Sequence, residues 1–256
     1  MKISLDIRKS VEENASVFFE KSKKAKKKLK GALEALEISK KKLKTVEDEK
    51  VEIKELNIKK VVKREWFEKF RWFVSSDGLL VIGGRDATTN EIVVKKYTDT
   101  DDLVFHTDMA GSPFVVIKSE GGKISELTIQ EATNFTAVYS RAWRQGMTSL
   151  DVFNVNPDQV TKEANSGEFM TKGSFMIRGK TNYVIPQMNL AVGIHEDKVM
   201  GGPVSAIKKN CKEFVEVVQG KEKASTIAKI IKKKIGGDLD DIIRVLPAGG
   251  CEIKKN

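Results

Sequence analysis

Apolar and small residues recur at helical spacing from Val11 onward: Ala15, Phe18, Ser22, Ala25, Leu29, Ala32, Leu36, Leu43 and Val46, with lysines between them. The spacing is close to a heptad and predicts an amphipathic helix whose narrow stripe wants a partner helix. Ser10, with Glu13 three residues on, predicts the helix start as a capping box. Ser10–Leu56 holds no proline and a single glycine, Gly31. Two readings follow, one long helix or a hairpin turning at Gly31. The absence of a second turn residue favours the long helix.

The texture changes after Val61–Lys63. Trp66, Phe67, Phe70, Trp72 and Phe73 crowd together and mark the start of a packed core. Phe70–Ser75 and Leu79–Gly83 read as strands around the turn Ser75–Gly78. Asp86 is a good N-cap for a helix over Ala87–Tyr97. Leu103–Thr107 and Phe114–Lys118 read as strands. Ser125–Gln145 reads as one helix with Leu127, Ile129, Ala132, Phe135, Val138, Tyr139 and Trp143 on its apolar face, stopped by Gly146. Further strands are predicted over Leu150–Val155, Gly173–Ile177, Tyr183–Ile185, Ala191–His195 and Phe214–Val218. Helices are predicted over Pro203–Asn210 and Ala224–Ile235, and Leu239–Val245 is a further element. The fold class predicted is α/β, an α+β mixed sheet with flanking helices, behind a long N-terminal helical coiled-coil arm.

Charge sharpens this division. Residues 1–64 carry 20 Lys/Arg against 11 Asp/Glu, whereas residues 65–256 carry 26 against 25. A basic arm beside a near-neutral body is the footprint of a polyanion binder, though a lysine-rich helix can equally serve solubility. Lys21–Lys30 holds seven lysines, among them Lys26, Lys27 and Lys28, whose mutual repulsion a polyanion would relieve. No apolar run approaches the ~20 residues of a membrane-spanning helix, and Met1–Asn14 does not resemble a secretory signal. The expected setting is the cytoplasm, with no membrane partner. Two distant cysteines, Cys211 and Cys251, and two histidines, His106 and His195, leave no ligand set for a structural zinc site. No metal or other cofactor is expected.

Four stretches could carry chemistry. In Arg71-Trp72-Phe73, strand alternation sets Arg71 and Phe73 on one face; the plainer reading is a core strand with a rim arginine. Gly83-Gly84-Arg85-Asp86, followed by Asn90, joins a strand to a helix. It could present backbone amides and the Arg85 fork to a phosphate, or simply meet a steric need for glycine. His106 and Asp108 share one strand face. With Asp77 and Asp86 they could form a metal-dependent hydrolase site, although loop-orienting hydrogen bonds explain such a pair as well. Lys172, Arg178 and Lys180 border a glycine-flanked strand after Ser166-Gly167-Glu168. They could follow a phosphate backbone or protect a sheet edge. The cations of Lys232–Lys234 end a helix and need no ligand.

Three strings together are specific: W-F-E-K-F-R-W-F-V-S-S-D-G-L-L-V-I-G-G-R-D-A-T-T-N-E at 66–91, V-F-H-T-D-M-A-G-S at 104–112 and S-G-E-F-M-T-K-G-S-F-M-I-R-G-K at 166–180. They closely resemble the NFACT-R domain of the NFACT family, which includes ribosome quality control tailing factors and fibronectin-binding-protein-A-like proteins. The arm resembles the family's second coiled-coil helix. The family more often has small residues where this chain has Thr107 and Ser112. The resemblance implies a basic helical arm over residues 1–62 and an NFACT-R-like domain over 63–256. It implies a non-enzymatic RNA-binding module of a ribosome quality control factor, with transfer RNA or large-subunit ribosomal RNA as partner. It also implies a coiled-coil partner helix, from the missing part of such a factor or from a second copy. The nucleic-acid-contacting surface it implies comprises Arg71, Asp77, Gly83, Gly84, Arg85, Asp86, Asn90, His106, Asp108, Lys172, Arg178 and Lys180, with Lys26–Lys28 on the arm. The alternatives are the metal-dependent nucleic-acid hydrolase and a coiled-coil interaction protein.

Overall fold

The computed structural model describes residues 4–54, 64–148, 150–163 and 170–254. The chain divides into two compact units, residues 1–63 and 64–256. In the first, α1 (Val11–Lys54) runs unbroken for 44 residues through Gly31. The capping box forms as expected. The Ser10 amide donates to Glu13 at 2.9 Å, and the Glu13 amide donates to the Ser10 hydroxyl at 3.1 Å. Lys26, Lys27 and Lys28 are exposed, as are Leu29, Leu33, Leu36 and Leu43 of the apolar stripe. Residues 55–63, which include the expected helix end at Leu56, lie outside the described residues, as does the Val46 side chain.

The second unit carries two larger antiparallel sheets with helices against them, and a separate two-stranded ribbon. Strands β1 (Arg71–Val74) and β2 (Leu80–Gly83) form a hairpin, and α2 (Ala87–Lys96) leads on to β3 (Leu103–Thr107) and β4 (Val115–Ile117). There follow α3 (Glu126–Val138), α4 (Arg141–Arg144), β5 (Val152–Val155), β6 (Val160–Thr161), β7 (Met176–Ile177) and β8 (Asn182–Val184). The chain closes with β9 (Leu190–His195), β10 (Lys198–Gly202), α5 (Val204–Asn210), β11 (Phe214–Glu222), α6 (Ala224–Ile235), α7 (Leu239–Val245) and β12 (Cys251–Ile253). The larger sheet has the order β1-β2-β4-β3-β5-β8, and the smaller β10-β9-β11-β12. Every ladder is antiparallel. Because β4 sits between β2 and β3, the segment β2-α2-β3 is a split β-α-β unit.

Register positions everything that follows. Arg71 pairs with Gly83, Gly83 with Val115, Val115 with Phe105, Phe105 with Asn154, and Asn154 with Asn182. This row crosses the whole large sheet near one edge. The loops 84–86 and 106–114 leave from that edge, and the β1–β2 turn lies at the opposite one.

The long helix expected over Ser125–Gln145 is interrupted. The Ser140 hydroxyl donates to the Ala137 carbonyl and accepts from the Ala142 amide. It thereby caps a new short helix and ends the old one. Strand β10 has no sequence signal because its turn, Glu196-Asp197, takes positive φ (47° and 65°) without glycine or asparagine. Phe73, Ile82, Phe105, Phe135 and Trp143 are fully buried between sheet and helices. Strand β10 lies flat against them: a Cβ on Gly202 would stand 2.9 Å from the Phe73 Cβ, and one on Gly201 would stand 2.8 Å from the Val245 Cβ.

Gly202→Ala is therefore expected to destabilise the protein by about 1–3 kcal/mol through overpacking, read as a lowered urea midpoint. Gly31→Ala, with nothing within 4 Å of its new methyl group, is expected to gain about 0.5–1 kcal/mol of helix stability, read from far-ultraviolet circular dichroism on heating.

Candidate nucleic-acid interface

The loops at that sheet edge enclose a cavity of about 580 Å³. Its walls include Arg71, Gly84, Arg85, Asp86, Asn90, residues 106–114, Tyr139 and Lys172–Phe175. The structure thus brings together eight of the residues singled out in the body: Arg71, Gly84, Arg85, Asp86, Asn90, His106, Asp108 and Lys172. Gly83 lies just beneath, where a Cβ would stand 3.0 Å from Val115 and 3.2 Å from the Phe135 ring. Its glycine serves packing.

Three expected residues lie elsewhere. Asp77 is exposed in the β1–β2 turn, at the far end of a hairpin whose near end carries Arg71 and Gly83. Four residues of strand separate the ends by about 10 Å. Asp77 accepts from the Ser125 and Thr128 hydroxyls at the start of α3, which hold its carboxyl below the usual range. Arg178 and Lys180 follow β7, which pairs with β6 in a separate ribbon. Gln159 Nε2 donates to both of their carbonyls, at 2.8 and 2.9 Å. Neither side chain lines the cavity. Ser166-Gly167-Glu168 falls outside the described residues.

The hydrolase alternative required Asp77, Asp86, His106 and Asp108 around one ion. With Asp77 at the opposite edge that centre is not assembled, and among the described residues no three of His, Cys, Asp or Glu are grouped to hold a metal ion.

Each wall has a local cause. The Asp86 carboxylate accepts from the Thr89 amide at 2.8 Å and caps α2, which keeps its pKa low. Asn90, one turn in, clamps two loops: its Oδ1 accepts from the Phe114 amide at 3.0 Å, and a Cβ on Gly84 would overlap that oxygen at 1.9 Å. Gly84 is required by this close approach. Gly173, at φ +80°, lets the 171–175 loop press on α2, where a Cβ would stand 2.5 Å from the Ala87 Cα. Glu91 anchors the same loop by accepting from the Gly173 amide at 3.3 Å and facing Lys162 at 3.6 Å. Thr107 and Ser112, the departures from the family pattern, hydrogen-bond to each other across the 107–112 loop.

The expected two-pronged grip of Arg85 on a phosphate is corrected by the structure. Its Nη1 donates to the Arg244 carbonyl and its Nη2 to the Phe70 carbonyl, both at 2.8 Å, so one donor on each arm of the fork is already spent inside the protein. The first bond places the guanidinium at the C-terminal end of α7, where the helix dipole favours a cation. Arg85 Nε is buried without a partner. Burial, then the nearby Arg71 and Arg244 charges, lower the Arg85 pKa to about 10. Arg71 lies over the Tyr139 ring, its Cζ 4.1 Å from the centroid. Its Nη1 is likewise buried and unpartnered, and burial lowers its pKa. The Tyr139 hydroxyl donates to the Val245 carbonyl, and burial pushes its pKa up to about 12. Arg71 therefore meets a neutral phenol, and among the described residues no carboxylate lies in ion-pair range.

Sequence reasoning read Tyr139 only as a core residue, and nothing local marks it otherwise. Phe114 and Phe175 were also missed as site residues. The His106 ring stacks on Phe114 at 4.1 Å, and Phe114 meets Phe175 edge-on at 5.1 Å. Asp108, exposed at the rim, accepts from the Tyr183 hydroxyl at 3.1 Å.

An antiparallel α+β domain with glycine-bordered loops around a cationic, aromatic-walled cavity has the architecture of a binding module. Residues 69–179 match the family described as the NFACT protein RNA binding domain, and over these residues the chain belongs to that family. The archaeal Rqc2 homolog aRqcH of Methanocaldococcus jannaschii is 41% identical over 78% of this chain and 31% of its own length. The ribosome quality control complex subunit NEMF of Homo sapiens is 40% identical over 68% of this chain and 16% of its own. The chain thus spans under a third of these curated relatives. The C-terminal structure of the fibronectin/fibrinogen-binding protein from Streptococcus suis aligns at 23% identity and TM-score 0.39, over 51% of this chain and 49% of that one. The chain carries an RNA-binding domain of the kind found in ribosome quality control factors. Among the described residues no helix is long and apolar enough to cross a membrane.

Burial holds the His106 pKa below its ordinary 6.5, with the Asp108 charge opposing. The unfolded chain takes up the proton first, so stability is lost as pH falls from 6.5 toward the depressed value. His106→Gln is expected to flatten this part of the profile, read as a smaller drop in urea midpoint between pH 7.5 and 5.5 than the wild type shows.

Proposed function

We propose that the chain is a non-enzymatic RNA-binding module of a ribosome quality control factor, working in the cytoplasm on transfer RNA or on RNA of the large ribosomal subunit. The observation that carries this reading is the cavity itself: Arg71 and Arg85 lie half-buried side by side, each with one buried nitrogen that has no partner, and among the described residues no carboxylate forms an ion pair with either. Lys172 stands exposed at the mouth. Buried cations without acidic partners are costly in a folded protein, and a sugar-phosphate chain supplies the missing charge. The exposed lysines of α1 add an attraction independent of sequence, as counterion release from a polyanion requires. Arg178 and Lys180, though outside the cavity, are exposed cations that can follow a strand beyond it.

A filter-binding titration against transfer RNA tests this reading. Affinity is expected to fall with salt at a log–log slope of about −0.7 to −0.9 per phosphate contacted. Replacing Lys26, Lys27 and Lys28 by glutamine is expected to flatten that slope by about one unit for each phosphate no longer neutralised, with little change in sequence preference. Absence of binding at low salt rejects the proposal.

A coiled-coil role for the arm is compatible with RNA binding. It is favoured by the exposure of Phe18 (40%), Leu29 (62%), Leu36 (50%) and Leu43 (60%) on one helix, since a stripe of this kind wants a facing helix. Sedimentation of the intact chain beside one beginning at Lys63 separates the outcomes. Association by the intact chain alone supports docking through the arm, and two monomers remove self-association.

A further inference from the structure

The cavity has more definition than a basic surface needs. Its cationic wall is Arg71 with Arg85. Among the described residues no carboxylate or carbonyl accepts from the Arg71 guanidinium, whose polar neighbours include the Arg85 guanidinium and the hydroxyl of Tyr139, which burial keeps protonated. The same cavity is lined by an aromatic wall, His106 stacked on Phe114 with Phe175 edge-on. Asp86 and Asp108 supply carboxylates at the rim. About 580 Å³ lies in the range of sites that enclose one small molecule. It cannot admit a base-paired helix.

We propose that this cavity receives a single unpaired nucleotide of the bound RNA, with its phosphate on the Arg71 guanidinium and its base against the His106–Phe114–Phe175 wall. The inference rests on the RNA-binding reading and narrows it to one site. A lone phosphate accounts for the arginines and leaves the aromatic wall unused, whereas stacking on aromatic rings is how unpaired bases are generally held. The rim carboxylates oppose a free polyanion entering from solvent, and they can accept from ribose hydroxyls or exocyclic amines. Arg85, its fork fixed on two carbonyls, contributes charge while Arg71 contributes the hydrogen bonds. Arg71 is then a residue kept unpaired for a ligand at the expense of the free protein's stability.

The intact chain is titrated separately with AMP, CMP, GMP and UMP, with adenosine, with inorganic phosphate and with transfer RNA. Binding is followed by calorimetry and by the shift in thermal midpoint. At least one of the four nucleotides is expected to bind at least tenfold tighter than either adenosine or inorganic phosphate. Arg71→Met is expected to weaken that nucleotide at least tenfold, and to melt at or above the wild-type midpoint without ligand. Its transfer RNA affinity is expected to fall as well, leaving at low salt the part of the binding that the lysines of the arm supply. Arg71→Lys, which keeps the charge without the planar fork, is expected to fall between the two.

If transfer RNA binds but no nucleotide does, or if inorganic phosphate matches every nucleotide, the inference fails and the RNA-binding reading stands. If transfer RNA does not bind at all, the broader reading fails. If Arg71→Met melts several degrees lower or does not fold, Arg71 is a structural residue and its reservation for a ligand is wrong. The lysine variant then still reads whether the nucleotide depends on the fork.

Discussion

The pairing of Arg71 with Gly83 in the β1–β2 hairpin constrains the rest of the domain. Neighbouring antiparallel pairs carry that alignment across the large sheet to Asn182, so the positions of all six strands are fixed relative to one another. A shift of one residue would turn each β1 side chain to the other face. Phe73 would leave the Phe135 ring and Arg71 would leave Tyr139. The core therefore holds the hairpin in register, and the register holds the cavity together. Gly83 and Gly84 serve this in different ways, the first by admitting the helix above it and the second by admitting the Asn90 amide.

Two arginines enclosed this way would ordinarily call for carboxylates. The chain instead spends the Arg85 fork and the Tyr139 hydroxyl on the carbonyls of Arg244 and Val245, capping the end of α7. These bonds satisfy polar groups and fix geometry without neutralising charge. Asp241, the acid nearest Arg85, already faces Arg64 at 3.9 Å and Arg244 at 4.0 Å. Burial depresses both guanidinium pKa values, and the Asp241 charge only partly offsets it at Arg85, which leaves an attractive potential in the cavity. Packing that removed the charge would serve stability better, and on the proposed reading the charge is kept for the RNA it would hold.

Much of this was legible along the chain. The capping box at Ser10, the Asp86 cap, the hairpin around Gly78 and the helix over Ala224–Ile235 follow from local patterns, and they stand as expected. Arg71, Gly84, Arg85, Asn90 and His106 line one cavity because strands read correctly deliver their ends to a common edge. The failures are of two kinds. Asp77 belongs to the turn of the very hairpin that carries Arg71, so its placement across the sheet was implicit in the strand reading. The occupation of Arg85 was not, because its acceptor on Arg244 lies 159 residues away and no local pattern encodes it. Strand β10 was invisible because Glu196 and Asp197 adopt a conformation usually marked by glycine or asparagine. The break at Ser140 was hidden because a serine among apolar residues reads as a neutral interruption until its hydroxyl is seen to cap.

Residues 1–64 carry most of the surplus charge, whereas the body is nearly balanced overall and sets Arg71 and Arg85, each with a buried unpartnered nitrogen, in one cavity. These are different physical resources. Solvated lysines on an exposed helix attract any polyanion over a distance set by ionic strength, and they discriminate little. A guanidinium buried on a phenol acts only at close range, in a medium where its interaction is strong and weakly screened. On the proposed reading the arm would raise the local concentration of RNA, and the cavity would select what part of it is held. Salt would then weaken encounter more than recognition, so that discrimination among RNAs would persist at ionic strengths where total binding has already fallen.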